Sequence, residues 1–375
     1  MIRGERIRQV RELNEWTQKD LAQRLGVTQP YIAQVEQGVV KPSEHIVDML
    51  VLQTGFPPAF FHEELASFPE GSLLFRSRAS ASAKRQAQAR QLGSLGFHLA
   101  TRLAQQVTRI QVRLPKVEEM HGDPVTAARY TRSMWGLPPD TPIPNVINAA
   151  EKSGVLVLAL PGPYETWEAF SVWAGDDNDR PVVVVTSGVP GDRLRLSVGH
   201  EIGHLVLHDP PAGTPGVLED EAYAFAAELL MPEQAMRDIM VPPITLTLLA
   251  DLKSAWKVSI QALMKRARDL DLVTAYQYTS LNQQIARLGW RKQEPRAEDV
   301  PVEKPRALMK MVELLYGPLP DIERIASDAC LPAVRVKEIL ELHKARNELV
   351  HGVSRQRRSD NQRLLTIAGK DQGGG

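Results

Sequence analysis

The chain has 375 residues, 43% of them hydrophobic, and its 45 Lys and Arg balance 45 Asp and Glu. That length fills two or three hydrophobic cores rather than one, and the charge balance excludes a protein that coats nucleic acid over its whole surface. The single cysteine, Cys330, excludes an internal disulfide and a cysteine-based metal site.

No apolar run approaches the roughly twenty residues that span a bilayer, and Arg3, Arg6 and Arg8 lie on a helical pattern without a signal-peptide core. A cytoplasmic, multidomain protein with no membrane segment is expected. In chain order, Ile7, Val10 and Leu13 mark an amphipathic helix, Thr17 caps a second one carrying Leu21, Ala22 and Leu25, and Gly26 ends it. Thr28 opens a third helix that runs to Gln37 and stops at Gly38, and a fourth follows from Ser43.

Three short helices around a tight glycine turn predict a helix-turn-helix over residues 1–65, with the third helix in the major groove of a double-stranded DNA operator. Thr28 and Gln29 present the N-terminal end of that helix. Gln29 and Gln34 carry primary amides that donate and accept at once, as the edge of adenine requires. Tyr31 is placed to meet a thymine methyl or a phosphate, while Gln18 and Lys41 hold the DNA backbone and set register. A small helical bundle for protein contacts is the bland alternative. Phe56 to Phe61 close the module.

Composition then shifts. Residues 66–120 form a basic helical connector: Arg76, Arg78, Lys84, Arg85, Arg90, Arg102, Arg109, Arg113 and Lys116 occur without an intervening acid. Such a run is either a solvated helix face or an added phosphate contact. Leu92, Leu95, Leu99 and Leu103 recur at helical spacing, so this helix packs on a neighbouring core or on a second copy.

A third region, 121–295, opens with helices at Val125–Trp135 and Asn145–Ser153. Beyond Gly154 the period changes, and Val155–Leu160, Ala169–Trp173 and Pro181–Thr186 predict three short strands, with residues 176–179 as the hairpin turn between the last two. Calcium binding by that acidic turn ranks low because EF-hand spacing is missing.

The sheet leads into His200-Glu201-Ile202-Gly203-His204. Residues four apart share a helix face, so His200 and His204 can point two imidazoles at one Zn2+ with Glu201 beside them as the base. A core helix with two satisfied histidines is the alternative. Zinc needs a third protein ligand and an open position for water. His208 stands eight residues beyond His200, roughly 12 Å along the axis, and is excluded. The downstream run Glu219 to Pro232 is helical, opened by acids, and Glu221 in its first turn is taken as the third ligand; acids that merely complement the helix dipole are the alternative.

Residues 296–375 are expected to be a charged, proline-bearing linker (296–304), a C-terminal helical module with a faint second helix-turn-helix rhythm, and a disordered tail at Arg355–Arg358 and the closing glycines.

Two resemblances follow from these motifs. Thr17-Gln18-Lys19-Asp20-Leu21-Ala22 through Ile32-Ala33-Gln34-Val35-Glu36-Gln37-Gly38 is similar to the Xre/Cro repressor family, with Pro30 where a polar residue is often found. The run from Gly191 into His-Glu-Ile-Gly-His-Leu-Val-Leu-His, then Glu-Ala-Tyr-Ala-Phe-Ala-Ala-Glu-Leu-Leu-Met-Pro, resembles the ImmA/IrrE family of zinc metallopeptidases. That resemblance implies His200, His204 and Glu221 as zinc ligands and Glu201 as catalytic base; Tyr223 stands where the family usually has Asn. Val258 to Pro295 also resembles the tail of repressor-fused members.

The expected fold class is mainly α with a small β-sheet: an N-terminal helix-turn-helix bundle, a zincin-like metallopeptidase domain and a C-terminal helical module. The expected function is a DNA-binding regulator whose zinc endopeptidase cleaves a repressor protein, or itself between residues 60 and 120. Glu201 moves the proton, Tyr223 aids the oxyanion, and a peptide adds as a strand to the sheet edge. The family resemblance implies a stress, prophage or mobile-element setting, and paired half-sites imply a homodimer. The competing expectation is a non-catalytic repressor or antitoxin with a structural or sensory zinc site.

Overall fold

Four helices build the N-terminal unit: α1 (Gly4–Leu13), α2 (Gln18–Leu25), α3 (Gln29–Glu36) and α4 (Glu44–Thr54). The computed structural model describes residues 2–64, 83–107, 111–115, 122–161, 168–175, 177, 179–208 and 214–344. Thr17 caps α2 through a reciprocal pair, its hydroxyl accepting from Asp20 N at 3.0 Å while the Asp20 carboxylate accepts from Thr17 N at 2.7 Å. Gly26, at φ 67°, turns the chain into α3. Ile7, Val10, Leu21, Ile32, Val35 and Leu50 form the core, and Phe56, Phe60 and Phe61 close its base. The mainly α architecture with one small sheet is as expected, and so are these four helices.

Helix α5 (Ala83–Ala104) packs on a neighbouring core, as its leucine spacing predicts, and corrects the solvated reading for only part of its cationic face, since Lys84 and Arg85 are exposed. Leu95, Leu99 and Leu103 are buried, together with Phe97 and Ala100, because α5 packs against α1 on one side and against the strand Leu156–Leu160 and the helix Ala307–Tyr316 on others. Gln9 donates to Ser94 Oγ (3.2 Å), Gln88 to Leu13 O (3.0 Å) and Gln91 to Glu12 Oε2 (2.7 Å). Arg90 and Arg102 are paired with Glu12 and Glu63, so these two cations serve internal contacts. Arg76, Arg78, Arg109 and Lys116 lie outside the described residues.

After α6 (Pro124–Met134) and α7 (Val146–Lys152) come β1 (Leu156–Leu160), β2 (Ala169–Ala174) and β3 (Arg180–Thr186), in spatial order β1-β3-β2. β1 runs parallel to β3, and β2 pairs antiparallel with it in the register Ser171 with Val183. Both faces are buried, which explains the near-continuous apolar strands. Val157, Ala159, Ala169, Val183 and Val185 face the core around α8. Leu158, Phe170, Val172, Val182 and Val184 face α5 and the C-terminal helices. Of the expected hairpin turn, Asp177 and Asp179 are described, while residues 176 and 178 lie outside the described residues.

Two long helices, α8 (Gly191–Leu207) and α9 (Pro215–Leu230), follow, then α10 (Glu233–Ile239), α11 (Leu246–Trp256), α12 (Ile260–Asp269) and α13 (Ala275–Arg287). The closing helices are α14 (Ala307–Tyr316), α15 (Ile322–Asp328) and α16 (Ala333–His343). Residues 296–304 are not a free linker, which is a second correction. Glu303 is buried, pairs with Arg195 and accepts from Ile147 N at 2.9 Å, and a Cβ on Gly191 would lie 2.3 Å from Val300 O. Only glycine lets this segment seat against the start of α8. The tail from residue 345 lies outside the described residues.

Candidate metal centre and DNA-reading face

The centre is built where α8 and α9 pack face to face. Gly203 makes that approach possible: a Cβ there would lie 3.1 Å from both Ala222 Cα and Ala222 O. Helical spacing puts His200 and His204 on the α8 face that meets α9, and both are buried. Their Nε2 atoms stand 3.0 Å apart, and the Glu219 carboxylate approaches each at 3.4 Å, Oε2 to His200 and Oε1 to His204. Among the described residues these three form the one group able to hold a metal ion.

Glu221, expected as the third ligand, is elsewhere: its Oε2 lies 3.0 Å from His208 Nε2. The physical reason is helix phase. The acids do not open α9; the helix starts four residues before Glu219, at Pro215 after Thr214. Glu219 therefore stands in the second turn facing α8, and Glu221 lies about 200° further round. Glu219 and Tyr223, four apart, share a face, a spacing visible in the sequence once the start of α9 is known. Tyr223 is half-buried, with Lys265 Nζ 4.8 Å from its ring centre, and it is not part of the His/Glu cluster.

Glu201 is buried, and the Ser171 hydroxyl on β2 donates to its Oε2 at 2.7 Å. Trp173, two residues along the same strand face, donates from Nε1 to Leu205 O at 3.0 Å, which locks β2 against α8. Neither contact is legible from sequence, because a lone Ser in an apolar strand carries no motif.

Burial opposes ionisation of Glu219, but its hydrogen bonds to His200 and His204 hold the carboxyl well below the usual carboxylate range. Burial pushes His208 down, against the contact with Glu221. The arrangement does not suit two merely satisfied core histidines. Their Nε2 atoms converge on each other and on one carboxylate, and His200 Nδ1 is buried without a hydrogen-bond partner.

In the N-terminal unit, α3 presents its polar side outward. Thr28, Gln29, Gln34 and Lys41 are exposed, and Gln18 and Tyr31 are half-exposed. Thr28 caps α3, accepting from Tyr31 N at 3.4 Å. Gln29 Nε2 donates to Gln18 Oε1 at 2.9 Å, and Gln18 Nε2 donates to Glu36 Oε2 at 2.9 Å. Arg11 holds Glu36 from behind through two bonds of 2.6 and 3.1 Å. The two glutamines thus form an oriented pair bridging α2 and α3, a coupling the sequence did not announce. Pro30 sits in the first turn of α3, where its missing N–H costs no helical bond.

Residues 7–61 match the family model for the helix-turn-helix domain, and residues 150–268 match that for the IrrE N-terminal-like domain. The second match contains β1 to β3, α8, α9 and every residue of the metal cluster. No curated protein matches the chain. No helix among the described residues is long and apolar enough to cross a membrane. The chain thus carries an Xre-type helix-turn-helix segment at 7–61 and, fused to it in the same chain, an IrrE/ImmA-like, metallopeptidase-like segment at 150–268.

Proposed function

We propose that this DNA-binding regulator carries a zinc endopeptidase, with His200, His204 and Glu219 as ligands and Glu201 as general base. The observation that supports it best is the convergence of two Nε2 atoms and one carboxylate at separations of 3.0 to 3.4 Å. Ligand nitrogens about 2.0–2.1 Å from a tetrahedral zinc stand roughly 3.3–3.4 Å apart, so the donor set fits with little rearrangement. Held by His200, His204 and Glu219, zinc would supply Lewis-acid polarisation for a water and the scissile carbonyl.

Glu201 does the proton work. Ser171 occupies Oε2 and leaves Oε1 to take a proton from the attacking water and pass it to the departing amine. Tyr223, on the Glu219 face of α9, is assigned as a donor to the developing oxyanion. β2, the edge strand beside α8, pairs only with β3 among the described residues and offers its backbone to an extended peptide.

The substrate on this reading is a repressor protein cut in trans, which derepresses stress, prophage or mobile-element genes. Self-cleavage between 60 and 120, on this reading, falls outside residues 83–104, which are helical and packed. On the DNA side, a homodimer sets Gln29 and Gln34 of each copy on paired operator half-sites.

Glu201→Gln tests the reading. Zinc content and operator binding persist while cleavage and derepression are lost. Unchanged derepression in that variant would leave the metal site structural or sensory, and the protein a repressor without turnover.

A further inference from the structure

His208 is the ring that the zinc site leaves over. Its side chain is 2% exposed, one turn beyond His204. Its Nδ1 lies 2.9 Å from His204 Nδ1, and its Nε2 lies 3.0 Å from Glu221 Oε2. Two imidazole nitrogens at 2.9 Å make a hydrogen bond only if one carries the proton and the other a lone pair.

The two ends of this chain decide which. His204 Nε2 faces His200 Nε2 and the Glu219 carboxylate, so as a ligand it must offer a lone pair there and keep its proton on Nδ1. At the far end the Glu221 carboxylate only accepts, so His208 keeps its proton on Nε2. The middle then matches without further adjustment: His204 Nδ1–H donates to the bare His208 Nδ1. All four ring nitrogens then have a use.

We infer that His208 and Glu221 are positioning residues for the metal: an imidazole–carboxylate relay that fixes the tautomer and rotation of His204 and strengthens it as a donor. The inference rests on the zinc-site reading above. It assigns a role to both residues that the ligand set omits. It also explains an asymmetry, since His200 Nδ1 has no hydrogen-bond partner and His204 Nδ1 is held. Partners of this kind for a ligating histidine set metal affinity because they hold the ring where the ion needs it.

The test uses the full-length chain. Zinc affinity is measured by competition with a chromogenic chelator for Glu221→Ala, His208→Ala and the double variant, and visible spectra are recorded after cobalt(II) replaces zinc. Each single variant should lose about 10–100-fold in zinc affinity and shift the cobalt bands. The double variant should lose no more than the worse single, because both break one chain. Glu221 is half-exposed, so Glu221→Ala should keep the metal-free melting temperature and carries the test alone if His208→Ala fails to fold.

Unchanged zinc affinity and cobalt spectrum in Glu221→Ala would overturn the inference, as would losses that multiply in the double variant. A wild-type chain that takes up no zinc would overturn the metal reading itself, a result told apart because no variant would then have an affinity to lose.

Discussion

Replacing Glu219 by Ala should remove most of the zinc affinity, whereas removing Asp220, its exposed neighbour, should not. Structural zinc sites bind with about 10–16 kcal/mol shared among four ligands, so one ligand is worth roughly 2.5–4 kcal/mol, or about 10²–10³ in affinity. Glu219 is the only carboxylate of the cluster, placed 3.4 Å from both Nε2 atoms, so α9 supplies no substitute without turning. Chelator competition on Glu219→Ala, Asp220→Ala and wild type measures the difference. The melting temperature with and without zinc gives an independent reading, since a ligand that binds only the folded chain raises it. Retained affinity in Glu219→Ala, together with complete loss in Glu221→Ala, would refute the helix-phase argument and return the ligand role to Glu221.

Three further outcomes are expected. Ser171→Ala should leave zinc affinity intact and slow peptide cleavage by roughly 10–150-fold, since the lost hydrogen bond is one to a charged group worth roughly 1.5–3 kcal/mol; steady-state kinetics at saturating zinc check it. Gln34→Ala should relax operator selection by about 1–3 kcal/mol while binding to random duplex stays the same, read by fluorescence anisotropy with specific and scrambled DNA. His98 joins α1, α5 and the end of α15: its Nε2 lies 2.9 Å from Ala329 O and its Nδ1 lies 3.4 Å from the buried Arg6 guanidinium. Burial, aided by Arg6, pushes its pKa down to about 4. A depressed folded-state pKa means that the stability from neutral His98 is present above about 6.5 and is lost as pH falls toward 4, by roughly 3 kcal/mol over that window. Urea midpoints at pH 7 and pH 4.5 should show that slope, and His98→Gln should flatten it.

Several features were legible from local pattern alone. The four N-terminal helices follow from Thr17, Gly26, Thr28 and Gly38 acting as caps and stops beside apolar residues at helical spacing. The strands followed from the change of period after Gly154, and His200, Glu201 and His204 from spacing on one helix face. Each of these depends on residues within a turn or two, where the chain's own geometry suffices.

The tertiary structure alone decided the rest. Whether Glu219 or Glu221 meets the imidazoles depends on where α9 begins and how closely Gly203 lets it approach α8, and neither is a property of the acidic run itself. Ser171 reaches Glu201 across 30 residues because β2 crosses beside α8. The cationic helix α5 and the segment 296–304 read as connectors because charge and proline dominate them. At those contacts their charges meet partners far along the chain, Glu12 and Glu63 for Arg90 and Arg102 of α5, and Arg195 for Glu303 of the segment. Sequence determines which face a helix buries; only the assembled neighbours determine which polar group waits on the other side, since that contact joins residues with no local relation.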